Sequence, residues 1–147
     1  MSNRWRLLAI ATLLGTCGAC GSGRTSPAAF RLPTDGNPER GKVAFVALGC
    51  HGCHEVSGVD LPRPTVQPPV PVVLGGTVSA KLSDAYLVTS IIYPSYKIGP
   101  YPDAQVTIAG HSRMTHNYDQ ITVRQMTDIV AFLQANYFEV KVPESFR

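Results

Sequence analysis

The sequence predicts an all-α domain of three main helices joined by long loops. Three segments open with helix-start chemistry, and the first turns lead into apolar residues at helical spacing. The loops between them are dense in proline and glycine and show no alternating strand pattern. Three short helices alone would give a thin core for so long a chain, so a bound group is expected to complete it.

Residues 1–20 read as a secretory signal of lipoprotein type. Arg4 and Arg6 precede an apolar run, Leu7 to Leu14, and small residues follow up to Cys20. The run is too short to span a bilayer comfortably. Two cysteines compete for lipidation: Cys17 has Leu14 three residues before it, and Cys20 has Ala19 immediately before it. Residues 21–36, rich in Gly, Ser, Thr and Pro, are expected to form a flexible tether, leaving 37–147 as the folded domain.

The first helix should begin at Asn37, a capping residue, with Pro38 in the first helical position and Glu39 favouring the helix dipole. It should end at Gly49, with Gly41 and Phe45 sharing one face. Five prolines between Leu61 and Pro71 (Pro62, Pro64, Pro68, Pro69, Pro71) favour extended loop. Ser83 should cap a second helix that turns Leu87, Val88 and Ile91 inward and stops before Pro94. Residues Pro94–Gln120 have no convincing period. The last helix is the clearest. Thr122 and Gln125 form a capping box, and Met126, Ile129, Val130, Leu133 and Tyr137 follow the spacing of one buried face.

With Cys17 and Cys20 in the signal, only Cys50 and Cys53 remain for the domain. They stand in Cys50-His51-Gly52-Cys53-His54, the C-x-x-C-H signature of covalent haem attachment, in which each thiol adds to a haem vinyl group and the histidine can ligate the iron. A zinc site would need further ligands, for which His111 and His116 could be offered, but there is no second cysteine pair. A redox C-x-x-C would want a βαβ context, which is missing. For the second axial position the downstream candidates are Met114, His111, His116 and Met126. Met126 belongs to the buried helix face, while Met114 stands among polar residues in a long loop, where an apolar side chain needs a purpose. Met114 is therefore the favoured ligand.

The whole chain carries 13 basic and 10 acidic side chains. Without Arg4 and Arg6 the balance is 11 against 10, so no basic stripe points to nucleic acid.

Gly41-x-x-x-Phe45, the C-x-x-C-H segment, a loop methionine and the final run Asp128-Ile129-Val130-Ala131-Phe132-Leu133 together resemble class I, mono-haem c-type cytochromes. The match covers roughly Asn37–Tyr137. It includes stand-alone lipoprotein cytochromes and, through Leu82–Leu87 and Ser90–Pro94, the haem c domain of some oxidase subunits II. The resemblance implies a small cytochrome c fold with long loops wrapped around one covalently attached haem c. It implies that the first and last helices cross at Gly41, that Phe45 meets Phe132, and that a loop proline carbonyl, Pro69 or Pro71, accepts the His54 Nδ1–H. Thr115 follows Met114 where the family commonly has proline.

The resulting expectation is a periplasmic, membrane-anchored carrier of single electrons, not an enzyme. Cys50, Cys53, His54 and Met114 would bind the haem, with His54 and Met114 on the iron. Its partners would be a redox donor and acceptor, such as a dehydrogenase or a terminal oxidase. The alternatives are a five-coordinate haem c enzyme or gas sensor, or the cytochrome subunit of a periplasmic oxidoreductase.

Overall fold

A computed structural model describes residues 30–64, 70–114 and 119–140 of the protein. The signal, Cys17, Cys20 and most of the tether lie outside the described residues, as do Pro68, Pro69 and His116. The described residues from Arg31 onward belong to one compact unit.

Helix α1 spans Pro38–Ala47, capped by the Asn37 side chain accepting from the Arg40 N–H at 2.8 Å. Gly49 follows it at φ 74, the left-handed conformation that commonly ends a helix. Helix α2 spans Asp84–Ile92, with Ser83 accepting from the Tyr86 N–H and Leu87 and Val88 buried. A single-turn helix, α3, spans Asp103–Val106. Helix α4, Val123–Ala135, has both halves of the expected capping box. Met126, Ile129, Val130 and Leu133 are buried along it, and Tyr137 is buried just beyond. The caps and buried faces agree with the sequence because both are set by neighbours within one or two turns.

The domain is not strictly all-α. Among the described residues are six short strands: β1 His54–Val56, β2 Val72–Leu74, β3 Gly76–Val78, β4 Thr107–Ile108, β5 His111–Ser112 and β6 Tyr137–Glu139. They form three separate two-stranded pairs, β1 with β2 and β3 with β6 in parallel, and β4 with β5 antiparallel. Each is two or three residues long, so no alternating pattern could announce it. The backbone of a long loop still has to satisfy its donors and acceptors, and adjacent loops satisfy each other.

The stretch Pro94–Gln120, expected to be without structure, holds α3 and the β4–β5 hairpin. Ala109 and Gly110, at φ 50 and 79, make its two-residue connection. Two successive positive φ values are the mark of the type I′ hairpin turn, whose twist matches that of the strands. Alanine is strained there. Ala109→Gly is expected to raise stability by up to about 1 kcal/mol, read from the denaturation midpoint.

Helices α1 and α4 pack against each other at Gly41. A Cβ built there would stand 2.6 Å from the Asp128 carbonyl carbon and 2.7 Å from the Phe132 Cβ. Four residues on, Phe45 meets Phe132 edge to face, with centroids 5.7 Å apart. The sequence resemblance implied both contacts.

A buried carboxylate locks the same crossing, and the sequence did not mark it for that role. Asp128, 3% exposed, accepts from Arg40 Nε at 2.9 Å, from Arg40 Nη2 at 3.0 Å and from the Asn37 backbone N–H at 2.8 Å. The Arg40 hydrogen bonds first, and the Asn37 N–H second, hold the Asp128 pKa below its ordinary 3.8. A depressed carboxylate pKa stabilises the fold above the unfolded value, and that stabilisation is lost as pH falls through the folded value. Asp128→Asn is therefore expected to be less stable than wild type in urea at pH 7. The difference should shrink as the pH is taken below about 3.8.

Candidate functional site

The site begins where α1 ends. After Gly49, Cys50–Gly52 forms one 3₁₀ turn, and the Cys53 N–H donates to the Cys50 carbonyl at 3.2 Å. One turn thus presents both thiols and passes directly into β1 at His54. Cys50 is partly buried, Cys53 is exposed, and both are free. Burial pushes the Cys50 thiol up from its ordinary value. A redox C-x-x-C depends on the opposite shift, since the thiolate is what attacks.

The parallel register of β1 and β2 sets the environment of His54. It places Val72 opposite His54, with the Val72 N–H bonded to the Cys53 carbonyl at 3.1 Å. His54 Nδ1 lies 3.3 Å from the Val72 carbonyl oxygen. With its proton on Nδ1 the ring donates there and leaves the Nε2 lone pair for a metal. The supporting carbonyl is thus that of Val72 and not of Pro71, because the strand register brings Val72 alongside; Pro69 lies outside the described residues. Burial lowers the His54 pKa, partly offset by the Val72 carbonyl, so the imidazole is held in the neutral form that ligates metals. The Val70-Pro71-Val72-Val73-Leu74 run, with three β-branched residues, is the signal that could have marked this strand.

Besides a cavity of about 220 Å³ that reaches His54 and Cys53 but not Met114, two cavities border both His54 and Met114. The larger, about 300 Å³, is lined by Cys53, Val72, Leu82, Leu87, Val106 and Tyr137, among others. The smaller, about 40 Å³, is lined by Phe45, Leu48, Cys50, Ile121 and Ile129. His54, Leu74, Ile91, Met114 and Leu133 line both. One thiol therefore borders each cavity, while the imidazole and the thioether border the two together.

Of the four candidates for the second ligand, Met114 is the one among the described residues that lines these cavities. Met126 is buried in the face of α4, and His111 on β5 is exposed. His116 lies outside the described residues. Among the described residues no three His, Cys, Asp or Glu side chains gather into a metal-binding group; His116, also offered for a zinc site, lies outside them.

The residues present fit a flat, largely apolar ring carrying a central metal. Walls of Leu, Ile and Val would bury such a ring, a neutral nitrogen and a thioether sulfur suit iron, and the two thiols stand at the border. Of this lining, the sequence had marked Cys50, Cys53, His54 and Met114. It had also turned Leu87 and Ile91 inward, but it had not marked Leu74, Val72 or Val106, which reach the site through the β1–β2 pair and the end of α3.

No curated protein and no solved structure matches the chain. The family model for Cytochrome c matches residues 38–136, from the first residue of α1 to the residue after α4. That span covers all four helices, both thiols, His54 and Met114, and it shows that the chain belongs to the cytochrome c family.

Proposed function

We propose that this haem-based electron carrier attaches its single haem c through Cys50 and Cys53, and that His54 and Met114 ligate the iron. The family carries covalently attached haem c, and haem supplies a one-electron ferric/ferrous couple. The observation that supports the ligand set most strongly is that His54 and Met114 share both cavities, while one of the two thiols borders each.

The chain's own residues then have distinct tasks. Cys50 and Cys53 would hold the haem beside the end of α1, each by addition of its S–H across one vinyl group. Val72 holds the His54 tautomer and ring orientation through the Nδ1–H bond. The Met114 thioether is a neutral, soft donor that favours the ferrous state and raises the reduction potential. The apolar walls exclude water, and a dry, rigid site changes little between oxidation states. With His54 and Met114 both held on the iron, no open site would be left for a substrate, which is the chemistry of a carrier.

The same proposal places the protein in the periplasm, held at a membrane by a lipid on Cys17 or Cys20, with a dehydrogenase and a terminal oxidase as donor and acceptor classes. The support is the order of basic, apolar and small residues in 1–20. Mass spectrometry of the mature protein tests attachment and anchoring together. The expected species begins with an acylated Cys17 or Cys20 and carries one haem on the peptide containing Cys50 and Cys53. An unmodified N-terminus would remove the anchor, and a haem-free peptide would remove the attachment site.

A further inference from the structure

Met114 leaves the β4–β5 hairpin two residues after β5, and three hydrogen bonds fix its backbone. The Met114 N–H donates to Ser112 Oγ at 3.1 Å, a hydroxyl turn between residues two apart. The Ser112 N–H donates in turn to Ser95 Oγ at 3.1 Å. Between them in sequence, the Arg113 N–H donates to the Val106 carbonyl at 2.8 Å. Ser95 sits in the turn that follows buried Pro94, where α2 has just ended. Ser112 also lines the larger cavity.

These contacts link two loop segments that share no helix. On one side is the turn anchored by α2, and on the other is the strand end that carries the methionine. We infer that Ser95 and Ser112 form a latch that positions Met114, holding its thioether in the cavity against displacement. They are positioning residues: neither is a ligand, and both act through the backbone of residues 112–114. The inference rests on the proposed role of Met114 as the second axial ligand.

A methionine loop can detach only by breaking its holding contacts, so the latch strength is read by a competitor for the same position. Imidazole binding to the ferric holoprotein, followed by absorption, supplies that reading. Ser112→Ala is expected to tighten imidazole binding about fivefold, the worth of one neutral hydrogen bond, and Ser95→Ala by a similar factor. The double variant should fall short of the product of the two, because both bonds belong to one chain of contacts. Ser112→Thr, which keeps the hydroxyl, should stay near wild type. Met114→Ala separates the two readings, since with its thioether gone imidazole should bind far more tightly whatever stands at 112. If Met114→Ala binds much more tightly but Ser112→Ala and Ser95→Ala do not, the latch is overturned and the ligand assignment stands. If Met114→Ala binds as wild type does, both are overturned.

Discussion

Replacing Gly41 by alanine is expected to destabilise the fold by about 3 kcal/mol or more, at or above the upper end of overpacking costs. The new methyl would meet the carbonyl group of Asp128 and the Phe132 Cβ, the latter at 2.7 Å. Neither is the far end of a flexible side chain, so no rotamer change relieves the contact. The helices must separate instead. Separation would weaken the Phe45–Phe132 edge contact and the Arg40–Asp128 pair, both of which cross the same junction. Because only Leu48 and Gly49 separate Cys50 from α1, the attachment turn would move with it. Val43→Ala is the matching control, since Val43 lies on the same helix and is 69% exposed. It should change stability by about 0.5 kcal/mol or less, as surface substitutions do. Urea denaturation of both holoproteins decides the matter, and equal midpoints would mean that the close approach at Gly41 carries no such cost.

Replacing Met114 by alanine is expected to lower the reduction potential on the order of 0.1 V or more, well within the ~0.8 V span that axial ligands command. The physical reason is the loss of a soft donor that prefers ferrous iron. Neither His111, exposed on β5, nor Met126, packed within α4, lines the cavities that Met114 borders, so neither can take its place without rebuilding the site. A spectroelectrochemical titration measures the shift. A variant with the wild-type potential would exclude Met114 from the iron. Stability should fall much less than in Gly41→Ala, because Met114 is only partly buried. The two substitutions therefore separate the frame from the site: one breaks the helix crossing, and the other leaves the helices and changes the couple.

What the sequence made legible was local chemistry. Asn37, Ser83 and Thr122 were readable as caps because a cap and the N–H it accepts lie two or three residues apart. The buried face of α4 was readable because helical spacing puts its members in one line. Cys50, Cys53 and His54 stood out as the candidate attachment site because such attachment needs two thiols and a histidine within a single turn. Met114 stood out as the candidate ligand by elimination, an apolar residue in a polar loop.

The contacts that complete the site were hidden for the opposite reason. Val72 supports His54 across a register set by the pairing of two segments 18 residues apart, and proline density nearby drew attention to Pro69 and Pro71 instead. Asp128 meets Arg40 and Asn37 about ninety residues away, so nothing in its own neighbourhood marked it as buried. Ser95 and Ser112 are polar loop residues of ordinary type, and only the hairpin at Ala109–Gly110 brings Ser112 back to the turn after α2. The six strands escaped notice because pairing, and not side-chain alternation, created them.

The most direct test of the site is X-ray absorption at the iron edge of the ferric holoprotein, with Met114→Ala measured beside it. The expected wild-type spectrum fits one sulfur and five nitrogen scatterers, four from the ring and one from His54. The sulfur should disappear in Met114→Ala. A wild-type iron with nitrogen ligands only, or a sulfur that survives in the variant, would contradict the His54/Met114 centre.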